Sequence, residues 1–142
     1  MDILLIEDNP GDVRLLQEAF GDCGIHHRLA VVTDGVEAMQ YLRREEAYPG
    51  SIRPDLILLD LNLPGKDGRD ILLEIKTDAD LRRIPVVILS TSGAEADILA
   101  AYDRQANCYI RKPLDLDAFF AVAESILRFW SDTVKLPAKD AS

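Results

Sequence analysis

The sequence predicts a doubly wound α/β domain, and three observations carry that prediction. Short apolar runs recur at Ile3 to Ile6, Leu29 to Val32, Leu56 to Leu59 and Val86 to Leu89, with Asn107 to Ile110 as a fifth candidate. They are continuous rather than alternating, as expected for parallel strands covered on both faces. Between them lie helix-length stretches with apolar residues every three or four positions. Repeated strand–helix units imply right-handed crossovers, and so a three-layer sandwich of five βα units.

The elements follow in order. The first run begins immediately after Met1-Asp2, with no basic region, long apolar stretch or small-residue cleavage site, so it reads as a strand and not a signal. Asn9-Pro10 opens the first helix, carried by Val13, Leu16 and Phe20. Thr33-Asp34-Gly35 opens the second, with Ala38 and Leu42, and residues 43–54, containing Pro49, Gly50 and Pro54, form its end and a loop. After the third run, Pro64-Gly65 is turn chemistry and Asp67-Gly68 opens a helix with Ile71, Leu72 and Ile75. Asp115 opens the last helix, along Leu116, Phe119, Ala123, Leu127 and Trp130. Residues 1–130 form one domain, and 131–142 a polar tail or extension with no separate effector domain.

Composition narrows the function. A chain of 142 residues, 48% hydrophobic, is long enough for one domain with a proper core. A net charge of -9 and a pI near 4.6 argue against direct nucleic-acid binding, which depends on Lys and Arg neutralising phosphates. No segment approaches the roughly eighteen apolar residues of a membrane span. Cys23 and Cys108 lie far apart, without disulfide or zinc spacing, and fit reduced thiols in the cytoplasm.

The chemistry collects just after the apolar runs. Glu7-Asp8 follow the first, Asp60 the third, Ser90-Thr91 the fourth, and Lys112-Pro113 lie just beyond the fifth. These are strand C-terminal ends, where an open α/β sheet places its ligand site. Two carboxylates about 4 Å apart repel by roughly 4 kcal/mol at an effective dielectric near 20, so three together call for a cation. Hard oxygen donors suit Mg²⁺, which completes its shell with waters and phosphate oxygens. Lys112 adds a compact positive charge for Asp60 at rest and for a phosphoryl oxygen later. The pattern fits phosphoryl transfer with a side chain as the attacking group.

Four motifs carry a resemblance across residues 2 to about 130: Leu5-Ile6-Glu7-Asp8-Asn9, Leu58-Leu59-Asp60-Leu61-Asn62-Leu63-Pro64-Gly65-Lys66-Asp67-Gly68, Leu89-Ser90-Thr91-Ser92 and Tyr109-Ile110-Arg111-Lys112-Pro113. In these the chain resembles the receiver domains of two-component response regulators. The resemblance implies a flavodoxin-like (βα)5 fold with sheet order 2-1-3-4-5. It implies that Asp60 accepts a phosphoryl group from a histidine kinase, that Asp8 ligates Mg²⁺, that Glu7 acts through a metal-bound water, and that the Asn62 carbonyl completes the protein's share of the shell. Ser90 stands at the family's Ser/Thr switch, Tyr109 at the rotating aromatic and Lys112 at the phosphoryl-binding lysine. The face of the fourth helix, fifth strand and fifth helix is then expected to change shape on phosphorylation, and the bond before Pro113 to be cis.

Asp34-Gly35-Val36-Glu37-Ala38 and Lys76-Thr77-Asp78 before Ile84-Pro85 look like the single-domain receivers that partner phytochrome histidine kinases. That subfamily implies a homodimer through the C-terminal face, and Val122, Ile126 and Phe129 form a second apolar stripe beside Trp130 that suits it. Two rivals are an aspartate-nucleophile phosphatase and a flavin carrier. The first needs an Asp two residues after the nucleophile, where Asn62 stands, leaving only slow self-hydrolysis rather than enzymatic turnover. The second needs a Ser/Thr/Gly-rich phosphate loop where Glu7-Asp8-Asn9 stands. His26-His27 reads as a polar strand entry, and Cys108 as a small core residue.

Overall fold

A computed structural model describes residues 1–45 and 47–139. Five parallel strands, β1 (Asp2–Ile6), β2 (Arg28–Val32), β3 (Leu56–Leu59), β4 (Val86–Ser90) and β5 (Cys108–Arg111), form one sheet in the order β2-β1-β3-β4-β5. The helices are α1 (Pro10–Asp22), α2 (Gly35–Arg43), α3 (Gly68–Thr77), α4 (Glu95–Asp103) and α5 (Leu116–Arg128). The (βα)5 alternation is the one the apolar runs predict, and the strand order is the one the resemblance implied.

The continuous apolar runs divide by alternation once they lie in the sheet. Leu4, Ile6, Ile57, Leu59, Val86 and Ile88 face one core, with Met39, Ile71, Leu72 and Ile75 from α2 and α3. Ile3, Leu5, Leu56, Leu58, Val87 and Leu89 face the other, with Leu16, Phe20, Phe119, Ala123 and Leu127 from α1 and α5. All four side chains of β3 are fully buried, each worth about 1.5–3 kcal/mol of transfer free energy. The edge strands β2 and β5 are only partly covered.

Because α1 packs on one face and α3 on the other, the chain leaves β1 and β3 in opposite directions. A crevice therefore opens between their C-terminal ends. Local signals hold each exit in place. Asn9 caps α1, accepting from the Gly11 and Asp12 amides at 2.9 and 3.1 Å. Asp34, Asp67 and Asp115 cap α2, α3 and α5 in the same way. Gly68 is constrained by closeness: a Cβ there would lie 2.5 Å from the Asp60 carbonyl oxygen and 2.6 Å from the Leu61 Cα.

Four features differ from the sequence reading or extend it. α4 has no clear apolar stripe; only Ala101 is buried, Leu99 and Tyr102 are exposed, and Ala94 supplies no side-chain cap. Of the predicted second stripe on α5, Ile126 is buried in the core, whereas Val122 is half-buried and Phe129 is 49% exposed. A π-helical turn, Phe129–Thr133, follows α5, and Lys139 then pairs with Asp2 and, at 3.6 Å, with Asp55, at the strands' N-terminal edge. Residues 140–142 of the expected tail lie outside the described residues. The bond before Pro113 is trans, not cis, the isomer that X–Pro bonds favour by about 0.5–1 kcal/mol. No helix among the described residues is long and apolar enough to cross a membrane.

Gly68→Ala has no room for its methyl group without moving the turn after Asp60. Chemical denaturation should show a loss of about 1–3 kcal/mol, with the midpoint displaced and the slope unchanged; an unaltered midpoint would show that the turn yields freely.

Candidate functional site

The ladder of the sheet continues past the strand ends and carries the polar residues into register. The Glu7 amide donates to the Val32 carbonyl at 3.0 Å, the Asp60 amide to the Ile6 carbonyl at 3.0 Å, and the Lys112 amide to the Ser90 carbonyl at 2.7 Å. Glu7, Asp60, Ser90 and Lys112 are the buried polar residues at this end of an otherwise apolar interior.

Glu7, Asp8 and Asp60 each turn a carboxylate oxygen to a common point, and the three oxygens lie within 4.8 Å of one another. Glu7 and Asp60 are buried and Asp8 is exposed, so the group has two sheltered ligands and one open to water. Asp60 accepts the Asn62 amide on Oδ1 at 3.2 Å. Asn62 itself is exposed.

Lys112 reaches across the crevice from beyond β5. Its ammonium lies 2.5 Å from Glu7 Oε1, 2.8 Å from Asp12 Oδ2 and 3.5 Å from Asp60 Oδ2. Asp12, in the first turn of α1, is a member the sequence reading missed. A carboxylate three residues after an N-cap is ordinary helix chemistry, and only the turn of α1 over the crevice brings it to Lys112.

Charge at the site is out of balance. Burial pushes the Glu7 carboxyl up to about 8, reinforced by Asp60 and opposed by Lys112. Burial alone lowers Lys112, but hydrogen bonds to Asp12 and Glu7 and the charges of Glu7 and Asp60 outweigh it, so the ammonium holds its proton more tightly than usual. With one cation among four acids, a carboxyl keeps a proton unless a second cation takes its place. The donor set is all oxygen, partly exposed and short of positive charge, and so fits a hard divalent cation.

Ser90 is fully buried at the end of β4, its Oγ accepting the Ser92 amide at 3.3 Å. Tyr109 Oη, from β5, donates to the Ser92 carbonyl at 2.9 Å. Ser92 Oγ donates to Asp97 Oδ2 at 2.6 Å, and Arg69 Nη2 to Asp97 Oδ1 at 2.8 Å. The loop after β4 is thereby tied to β5, α4 and α3. His26 and His27 fall between α1 and β2, apart from this crevice. Burial pushes both cysteine thiols up, away from the reactive thiolate.

A parallel sheet in this order, with acids at the ends of β1 and β3 and a lysine beyond β5, defines a class of signalling domain. The chain belongs to the response regulator receiver domain family, whose model matches residues 3–124. It is 49% identical over 136 residues to the response regulator Rcp1 of Synechocystis sp., covering 96% of this chain and 92% of that protein. The crystal structure of Mn²⁺-bound Rcp1 superposes with a TM-score of 0.92 at 49% identity, covering 96% of this chain and 99% of that one. The crystal structure of the phosphorylated cyanobacterial phytochrome response regulator RcpA gives 0.93 at 52% identity, with 96% and 98% covered. The phosphatase and flavin-carrier rivals give way to this family assignment.

The raised Glu7 carboxyl has a sign that can be checked without metal. A buried carboxyl with a folded-state value above its unfolded one stabilises most at low pH, and that contribution is lost as pH rises from about 4.5 to about 8. In EDTA, Glu7→Gln should flatten this slope and raise the melting temperature at pH 8 by roughly 3 °C or more. Parallel curves for the two proteins would contradict it.

Proposed function

We propose that this chain is a response regulator that takes one phosphoryl group from a histidine kinase onto Asp60 and switches the face formed by α4, β5 and α5. One observation carries the reading. Asp60 ends a fully buried strand, its carboxylate 3.5 Å from the Lys112 ammonium and grouped with Glu7 and Asp8.

In the transfer, an Asp60 oxygen bonds to phosphorus as the bond to the kinase's histidine nitrogen breaks, and that nitrogen keeps the electron pair. Glu7, Asp8, Asp60 and the Asn62 carbonyl are the groups to hold Mg²⁺, which when bound neutralises charge on the transferring oxygens. Lys112 supplies a further positive charge. Ser90 serves as the hydroxyl that follows a phosphoryl oxygen, and Tyr109 as the aromatic that reports the change. Its hydroxyl already reaches the loop after β4 through Ser92. The protein turns over no substrate beyond accepting the group and losing it slowly, since Asn62 offers no acid/base carboxyl.

The likeness to the phytochrome response regulator RcpA supports a phytochrome histidine kinase, of the bacteriophytochrome type, as partner. The acidic charge speaks against direct nucleic-acid binding, and the absence of a spanning helix among the described residues against membrane insertion, which together suit the cytoplasm. Residues 1–130 act as the receiver and 131–142 as its extension. A homodimer forms through the C-terminal helix face: β5 and α5 enclose an open apolar groove lined by Cys108, Ile110, Val122, Ile126 and Phe129, beside an unpaired sheet edge.

Wild-type protein with Mg²⁺ and a small acyl phosphate should gain the mass of one phosphoryl group, and Asp60→Asn should not. Equal labelling of the variant excludes Asp60 as the acceptor. Sedimentation should show a dimer for wild type and a monomer for Phe129→Asp, with labelling retained; an unchanged dimer would move the interface elsewhere.

A further inference from the structure

We propose that Asp12 is a positioning residue that holds the Lys112 ammonium away from the phosphoryl site and so opposes phosphorylation; this rests on the reading of Asp60 as acceptor. Lys112 has three N–H donors, and three acids divide them. Its contact with Asp12 Oδ2, at 2.8 Å, is shorter than that with Asp60 Oδ2, at 3.5 Å. Glu7 takes the remaining donor at 2.5 Å. A phosphoryl oxygen on Asp60 gains this ammonium only if one of the three bonds lengthens. The Asp12 bond is the most replaceable, because its carboxylate is partly exposed, at 22%, and water can take over its hydrogen bonds, whereas Glu7 is 1% exposed.

Asp12 acts a second way, through charge. It meets the same ammonium as Asp60, so a phosphoryl group arriving there enters the field of one more anion than the three carboxylates grouped at the crevice. Both effects have the same sign. An acid in the first turn of a helix also stabilises that helix through its dipole, as any surface acid would. That role concerns folding alone and predicts no tighter binding of a phosphoryl group when the charge is removed.

Beryllofluoride, an anionic mimic of the phosphoryl group that coordinates a carboxylate oxygen reversibly, separates these roles as an equilibrium ligand. Titrated with magnesium chloride in excess and followed by fluorine NMR, Asp12→Asn should bind it about threefold to tenfold more tightly than wild type. Asp12→Glu, with a carboxylate still in reach of Lys112, should return towards the wild-type value. Equal or weaker binding by Asp12→Asn overturns the inference, and so does a loss of affinity accompanied by a lowered melting temperature, which marks a structural role. Asp12→Ser, keeping a polar group in the first turn of α1, guards against an effect peculiar to the amide. Asp60→Asn is carried in parallel: if it binds beryllofluoride as wild type does, the acceptor assignment itself falls, whereas a failure confined to the Asp12 variants removes this inference alone.

Discussion

The structure depends on tolerating a concentration of negative charge at one edge of its sheet. Four acids crowd the C-terminal ends of the strands, three of them against one ammonium, two of the carboxylates are buried, and their mutual repulsion is only partly offset. Such an arrangement persists because the strands beneath it are over-determined. β1, β3 and β4 have apolar side chains buried on both faces, and a slip of one residue would exchange every side chain between the two cores. The hydrophobic effect holds the backbone, and the backbone holds the carboxylates together.

The same constraint makes the balance at the site sensitive to a change in charge. A divalent cation or a phosphoryl group alters the balance around Lys112, and its amide is bonded to the Ser90 carbonyl. Ser90 lies two residues before Ser92, where the Tyr109 hydroxyl, Asp97 and, through Asp97, Arg69 converge. The carboxyl of Asp97 is held below its usual range by Ser92 and Arg69. A local rearrangement at Ser90 therefore has a continuous set of hydrogen bonds leading to α3, α4 and β5. α4 is well suited to move, since it buries little and lacks a side-chain cap.

Much of this was legible in the sequence because it rests on local chemistry. β3 coincides with its apolar run, and the capping residues Asn9, Asp34, Asp67 and Asp115 announced four helix starts. Glu7, Asp8, Asp60 and Lys112 were legible as a set because each follows a strand end. What escaped depends on tertiary geometry. α4 shows no apolar periodicity because it covers the sheet with Ala101 and little else. Asp12 escaped because an acid in the first turn of a helix is ordinary, and only the turn of α1 over the crevice sets it against Lys112. Lys112 pairs with Asp60 as expected, and the closer contacts with Glu7 and Asp12 come in addition. Ile126 belonged to a stripe by spacing, yet it is buried in the core between α5 and the sheet.

The acid cluster at the strand ends is central to all of this, and metal binding tests it most directly. Isothermal titration of wild-type protein with Mg²⁺ or Mn²⁺ should reveal one divalent cation per chain, and Asp8→Asn, which removes the open ligand without disturbing the core, should abolish saturable binding at millimolar metal. Undiminished binding by Asp8→Asn would contradict the assignment of the crevice as the metal site.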